Sequence, residues 1–303
     1  MWEDAGRGRG APIVVAALML AGLIAGHRWI PNIRGMGSLI DTAAPLFAIG
    51  IPLLVLAAVA RRSVGALAAV SVPAAVWLVL FGAAWLPAEG GPAQLRVASQ
   101  NLRADNPDPA ATVAPLTAEA DLIALQEVSP AAHDAVEQAL AKTHGHRATV
   151  STVALWSRFP IRDYRGVDTG LDWTRGLRAV VAAPPGDVVV YVVHLGSARA
   201  GDTATRDRTV VKLAETLREE GAERLIVLGD LNTASTDRML APLTDLLHDA
   251  QADAGRGLGF TWPSPLPVTR PDHILYRGLT ATSAGVVRTP GSDHRAVTAA
   301  FRM

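Results

Sequence analysis

The sequence runs to 303 residues with a formal charge of zero, and half of those residues are hydrophobic against 18% charged, a balance that soluble domains rarely show. It contains no cysteine, which excludes disulfides, thiolate metal sites and cysteine nucleophiles. Residues 1–92 carry six arginines and four acids, +2, leaving the remainder at −2, without the large basic face that long nucleic acids require.

The apolar excess lies before residue 90, in three segments. Residues 11–26 (APIVVAALMLAGLIAG) carry no charge but are short for a span, so the helix must extend toward Trp29 and Ile30. Residues 38–60 carry one charge, Asp41, near their start, and residues 63–86 carry none. Arg7 and Arg9 ahead of a short apolar run also fit a signal peptide, but the two longer spans that follow favour three transmembrane helices over residues 1–86. With three spans, Arg7, Arg9, Arg61 and Arg62 share one side against Arg28 and Arg34 on the other. That places the first side in the cytoplasm and the C-terminal domain outside, a multi-pass protein in contact with the lipid bilayer. Residues 87–92 (PAEGGP) form a breaker-rich linker.

From residue 93 to 303 the pattern changes. Short Val-, Ile-, Leu- and Ala-rich runs at 95–100, 121–126, 177–181, 188–193, 224–228, 273–276 and 296–301 predict strands. Helices are expected over 131–141, 206–220 and 237–247; the second has its apolar face on Val210, Val211, Leu213, Ala214 and Leu217, with Gly221 as its stop. Strands interleaved with helices indicate an α/β domain with one large core.

Polar residues able to bind a metal follow these apolar runs repeatedly. Asn101 follows LRVASQ, Glu127 follows DLIALQ and His194 follows VVVYVV; Asp230 and Asn232 follow RLIVLG, while Asp293 and His294 precede the last strand. One such ending is an ordinary turn residue; all of them together point to a site, because strand ends hold side chains more firmly than free loops do. Carboxylate and carboxamide oxygens suit Mg²⁺ (or Mn²⁺) and phosphate-ester hydrolysis, which needs neutralised phosphoryl oxygens, an activated water and a stabilised leaving group. Glu127, supported by Asn101 and Asp293, is the expected metal ligand set. His294 would stabilise the transition state or act as base, with Asp272 in RPDHIL holding its tautomer. Asp230 would orient or deprotonate water while Asn232 donates to the phosphate.

QN at 100–101, LQEV at 125–128, VVHL at 192–195, GDLN at 229–232, PDHIL at 271–275 and GSDH at 291–294 together resemble the endonuclease/exonuclease/phosphatase superfamily, in that family's order and across nearly all of 93–303. LWSRFPI at 155–161 resembles a further family strand. The resemblance implies a four-layer α/β sandwich, two packed mixed sheets flanked by helices, and Mg²⁺-dependent phosphodiester or phosphomonoester hydrolysis at one end of the paired sheets. It implies metal-site roles for Asn101 and Glu127, phosphate contacts for His194 and Asn232, a water-activating Asp230, a His294–Asp272 pair and an Asp293 close to metal or phosphate. The three preceding spans and GFTWPSP are similar to actinobacterial membrane proteins of the teicoplanin-resistance type. His273 departs from the aromatic that many members carry, and no basic insertion or intercalating loop of the repair nucleases is visible.

Arg270, just ahead of Asp272, is expected to face the site and bind substrate, whereas Arg206 and Arg208 read as a solvated helix face. Trp156, Trp173 and Trp262 read as core or rim aromatics rather than a lipid-binding groove. His27, His133, His144, His146 and His248 fall outside the motifs, and Ser157 lacks the Gly-x-Ser-x-Gly elbow of a nucleophile. The expected activity is hydrolysis of a phosphorylated lipid, such as a polyprenyl pyrophosphate or phospholipid, with no stable nucleic-acid complex. The alternatives are a tethered nuclease and a non-catalytic resistance or binding module.

Overall fold

The computed structural model describes residues 10–86, 90–199 and 201–303. The chain divides into two compact units, Met1–Leu86 and Pro87–Met303.

In the first unit, α1 (Ala11–Gly26) has a proline in its opening turn, where the missing N–H costs nothing, and a 3₁₀ turn His27–Trp29 prolongs it. The next apolar helix is broken: α2 (Met36–Ala43), a 3₁₀ segment Ala44–Ile49 with a proline in its first turn, and α3 (Gly50–Ala60) follow one another. Ser63 caps α4 (Val64–Phe81) by accepting a hydrogen bond from the Ala66 N–H. The Trp77 indole N–H donates to the Pro45 carbonyl at 2.9 Å. Three helical stretches, Ala11–Trp29, Ile33–Ala60 and Val64–Trp85, are long and apolar enough to cross a membrane. Their large side chains point outward, with Val79 82% exposed and Leu53 61% exposed, an arrangement that water penalises and lipid does not. Asp41 is not isolated: its carboxylate lies 2.7 Å from His27 Nδ1, and both residues are buried. Pairing is what makes an ionisable group tolerable at such a position.

The second unit alternates strands and helices. It opens with β1 (Leu95–Asn101), α5 (Pro109–Val113), α6 (Leu116–Glu119), β2 (Leu122–Gln126) and α7 (Pro130–Leu140). Then come β3 (His146–Val150), β4 (Val153–Ser157), β5 (Ile161–Gly166), β6 (Gly176–Val181), β7 (Val188–His194) and α8 (Ala204–Glu219). It closes with β8 (Leu225–Asp230), α9 (Ala241–Thr244), β9 (His248–Asp249), α10 (Ala250–Ala254), β10 (Asp272–Arg277), β11 (Thr280–Val287) and β12 (Ala296–Arg302).

Two six-stranded mixed sheets result, one ordered β11-β12-β1-β2-β4-β3 and the other β5-β6-β7-β8-β10-β9. Their facing surfaces bury Leu95, Val97, Leu122 and Leu155 against Val190, Val192, Ile226 and Leu228. Full burial of each such side chain contributes about 1.5–3 kcal/mol. Helices α5, α6 and α7 cover the first sheet through Val113, Leu116, Val136 and Leu140 around Trp156. Helix α8 covers the second with Val210, Leu213 and Leu217 against Tyr191, Val193 and Val227. The result is a four-layer helix–sheet–sheet–helix sandwich.

Register decides which polar residues meet. Parallel pairing of β7 and β8 sets His194 opposite Asp230, and antiparallel pairing of β8 and β10 sets Asp272 opposite Asp230. In the other sheet β1 runs parallel to β2 and ends at Asn101, opposite Gln126, one residue before Glu127. Some expected elements differ. Residues 237–247 hold a 3₁₀ turn, Arg238–Leu240, and the short α9 instead of one helix, because Pro242 sits inside the stretch. Residues 155–161 are not one strand, since β4 ends at Ser157 and β5 begins at Ile161 around Pro160.

Candidate active site

Asp230 lies at the centre of the polar cluster. It is buried at the end of β8, and its Oδ2 is 3.7 Å from His194 Nε2 and 3.9 Å from His294 Nε2. The same Oδ2 accepts a hydrogen bond from Asn101 Nδ2 at 3.0 Å, and that nitrogen also donates to Glu127 Oε1 at 3.1 Å. One amide therefore joins the ends of β1, β2 and β8 across the two sheets. The second Glu127 oxygen accepts from the Ala104 N–H at 2.8 Å. Glu127, Asn232 and Arg103 all have positive φ (55°, 49° and 66°), conformations a non-glycine residue holds only where its surroundings impose them.

His294 donates from Nδ1 to Asp272 Oδ2 at 2.9 Å, and the Thr261 hydroxyl donates to the same oxygen at 2.6 Å. Burial disfavours the imidazolium, but the charge and hydrogen bond of Asp272, with Asp230 and Asp293 nearby, outweigh it and push His294 up to about 10. His194 goes the other way. Burial lowers it to about 4 despite the opposing charge of Asp230, so it is neutral at pH 7. Arg175 NH1 lies 3.4 Å from His194 Nδ1. A guanidinium only donates, so Nδ1 accepts and Nε2 carries the proton toward Glu127 and Asp230. Burial and the charge of Asp272 raise the Asp230 carboxyl above the usual carboxylate range.

Asn232 follows in the turn after β8. Its backbone N–H donates to Asp230 Oδ1 at 2.8 Å, and its side chain donates to the Leu195 carbonyl at 3.0 Å. The turn is braced from behind by Arg206, which is buried, paired with Asp237 at 2.8 Å and bonded to the Asn232 carbonyl at 3.3 Å. The expectation of a solvated helix face is thus corrected for Arg206: its side chain faces inward toward the turn it supports. Arg270 is corrected too. Its guanidinium makes a bidentate pair with Asp249 of β9, at 2.9 and 2.8 Å, instead of facing the site. Arg270 and His273 overcome burial to hold Asp249 well below the carboxylate range. His273 Nε2 in turn bonds the Thr233 carbonyl at 2.9 Å, so this residue supports the same turn from the opposite side.

Asp293 stands at the rim, its Oδ2 accepting from the Trp262 indole N–H at 3.3 Å. Of the three tryptophans, Trp156 is core, whereas Trp262 and Trp173 are rim residues, the latter lying 5.1 Å over the Arg175 guanidinium. Sequence reading missed Arg175 and Thr261. Neither stands at the end of an apolar run, and each reaches the site only through a long-range contact.

The donor set suits a hard divalent cation. Two carboxylates, Glu127 and Asp230, converge on a single amide nitrogen, and Asp272 Oδ1 is buried with no hydrogen-bond partner among the described residues. Among the described residues, ligand atoms of Asp230, Asp272 and His294 also lie within 4.8 Å of one another. Such crowding of acids in a low dielectric calls for a compensating charge.

The sequence profile of the Endonuclease/Exonuclease/phosphatase family matches residues 85–294. The chain belongs to this family. Membership makes it a hydrolase of phosphate esters in a family that depends on divalent metals. No curated protein sequence matches the chain. Several solved structures share the fold. The mannosyl-6-phosphatase of Bacteroides thetaiotaomicron is 18% identical with a TM-score of 0.59, covering 69% of this chain and 100% of its own. Sphingomyelinase C of Streptomyces griseocarneus is 18% identical with a TM-score of 0.53, covering 70% and 100%. A Staphylococcus aureus beta toxin variant with bound magnesium ions is 14% identical with a TM-score of 0.54, covering 69% and 100%. At these identities the likeness shows the fold of this family member alone.

Proposed function

We propose that the chain is a multi-pass membrane phosphoesterase of the Endonuclease/Exonuclease/phosphatase family that hydrolyses a lipid-linked phosphate outside the cytoplasm. The observation that carries the reading is the joining of one chain's three membrane-length helices to the buried Asp230–His194–His294 cluster. A tether raises the effective concentration of a membrane-borne substrate without adding a contact to it. The sphingomyelinase among its fold relatives supports a lipid substrate, and the −2 charge of residues 93–303 speaks against long nucleic acids. The arginine distribution around the spans supports the outward orientation.

Glu127, Asn101 and Asp293 would hold the Mg²⁺ or Mn²⁺ ion, which supplies charge neutralisation on the phosphoryl oxygens when bound. Asp230 positions the attacking water and accepts its proton, a task that its raised proton affinity suits. The water oxygen bonds to phosphorus while the bond from phosphorus to the leaving oxygen breaks, and that oxygen keeps the electron pair. The neutral His194 offers its Nε2–H, and Asn232 its remaining amide hydrogen, to the phosphoryl oxygens. Protonated His294, fixed by Asp272, stabilises the charge that builds up in the transition state.

The test is the full chain in detergent with Mg²⁺, given a polyprenyl diphosphate, a phospholipid and plasmid DNA. Release of phosphate or headgroup from a lipid substrate, with DNA left intact, is expected. Cleavage of DNA alone would replace this reading with a tethered nuclease, and inertness toward all three would favour a binding module.

A further inference from the structure

A cavity of about 360 Å³ opens between residues 264–265 and 288–292, and its lining residue Ser292 lies two residues before His294. Its walls are pinned to the strands that carry the site. The Ser264 N–H donates to the Asp293 carbonyl at 2.7 Å, and Arg295 Nε donates to the Ser264 carbonyl at 2.9 Å. The Ser292 hydroxyl donates to the Asn101 carbonyl at 2.6 Å and accepts from the His294 N–H at 3.0 Å. Thr289 donates to the Gln100 side chain, and the Pro290 carbonyl accepts from Thr112, both at 2.7 Å. Gly291 turns the loop at φ 80°, where an added Cβ would come within 2.5 Å of Asn106 Oδ1.

These bonds leave the frame preformed and most of its polar groups satisfied. Arg288 is different: it lines the cavity, is exposed, and its guanidinium has no hydrogen-bond or ion-pair partner among the described residues. The neighbouring cation Arg103 is already committed to Asp105. An unpartnered planar guanidinium at the start of the 288–295 loop, the loop that also carries Asp293 and His294, matches the geometry of a phosphate group.

We propose that this cavity is a second anion subsite for the phosphate carried by the leaving group, so that the enzyme prefers diphosphate esters to monophosphate esters. The proposal rests on the phosphoesterase reading above and narrows its substrate class. In the reaction so favoured, water attacks the terminal phosphorus, the bond to the bridging oxygen breaks, and the lipid monophosphate departs with the electron pair while held at Arg288.

The test uses the full chain in detergent with Mg²⁺. Calorimetry should show inorganic pyrophosphate binding at least about tenfold tighter than orthophosphate, with Arg288→Ala abolishing that difference and Arg288→Lys restoring part of it. In turnover, Arg288→Ala should lower the ratio of kcat/KM for geranylgeranyl diphosphate to that for geranylgeranyl monophosphate by about tenfold. An unchanged ratio, or equal weakening of both anions, overturns the subsite. Failure of the wild type to hydrolyse any phosphate ester would overturn the phosphoesterase reading instead, and the calorimetry would still decide the subsite.

Discussion

The two oxygens of Asp272 differ in use: Oδ2 receives both the His294 imidazole and the Thr261 hydroxyl, while the buried Oδ1 has no hydrogen-bond partner among the described residues. This carboxylate therefore orients His294 and keeps it charged at the same time. With Asp272 in place His294 stays protonated up to about 10. In Asp272→Asn burial remains while the main opposing charge is gone, so the pKa falls toward or below the ordinary 6.5. Where protonated His294 is required, the alkaline limb of log kcat/KM against pH should move down by more than about one unit. An unmoved limb with normal protein folding would show that protonated His294 is not what stabilises the transition state. Asn101, Glu127, His194, Asp230, Asp272 and His294 were all legible, because each ends or begins an apolar run and strand ends converge in a paired-sheet fold. Arg270 misled because its partner Asp249 lies on a strand of two residues, too short for any periodicity to show.

At the scale of elements, the meeting of β7 and β8 sets the geometry. Gly229 has φ 152°, and a Cβ there would come 1.9 Å from the Val193 carbonyl oxygen. The glycine of GDLN is thus the residue that lets β8 run close enough to β7 for Asp230 to face His194. Gly229→Ala must push the two strand ends apart. It should destabilise the fold by more than about 2 kcal/mol, read as a lowered thermal unfolding midpoint. A variant with wild-type stability would show that this close approach is not required. Strands buried on both faces, such as β2 and β7, were readable as continuous apolar runs. The edge strand β5, largely exposed and polar, and the half-polar β3 carried no such signal. The 237–247 stretch was overread because its apolar spacing outlasts the break at Pro242.

For the whole molecule, the three apolar helical stretches were visible from composition alone, since no soluble packing explains their outward Leu and Val side chains. What composition could not show was the His27–Asp41 pair, which needs the chain to turn back between the 3₁₀ turn His27–Trp29 and α2. The arginine bias predicts that a reporter active only in the cytoplasm, fused after Met303, stays silent, whereas one active only outside gives signal. The reverse pattern would place the hydrolase domain in the cytoplasm and change the pool of substrates it can reach.

In the proposed reaction a divalent-cation site, Asp230 and a lipid-linked phosphate act together, and orthophosphate release from a polyprenyl diphosphate by the detergent-solubilised full chain tests all three at once. Release should require Mg²⁺ or Mn²⁺, fall to background in excess chelator, and drop at least about a hundredfold in Asp230→Asn. Turnover that survives both the chelator and the substitution would rule out metal-dependent hydrolysis through Asp230.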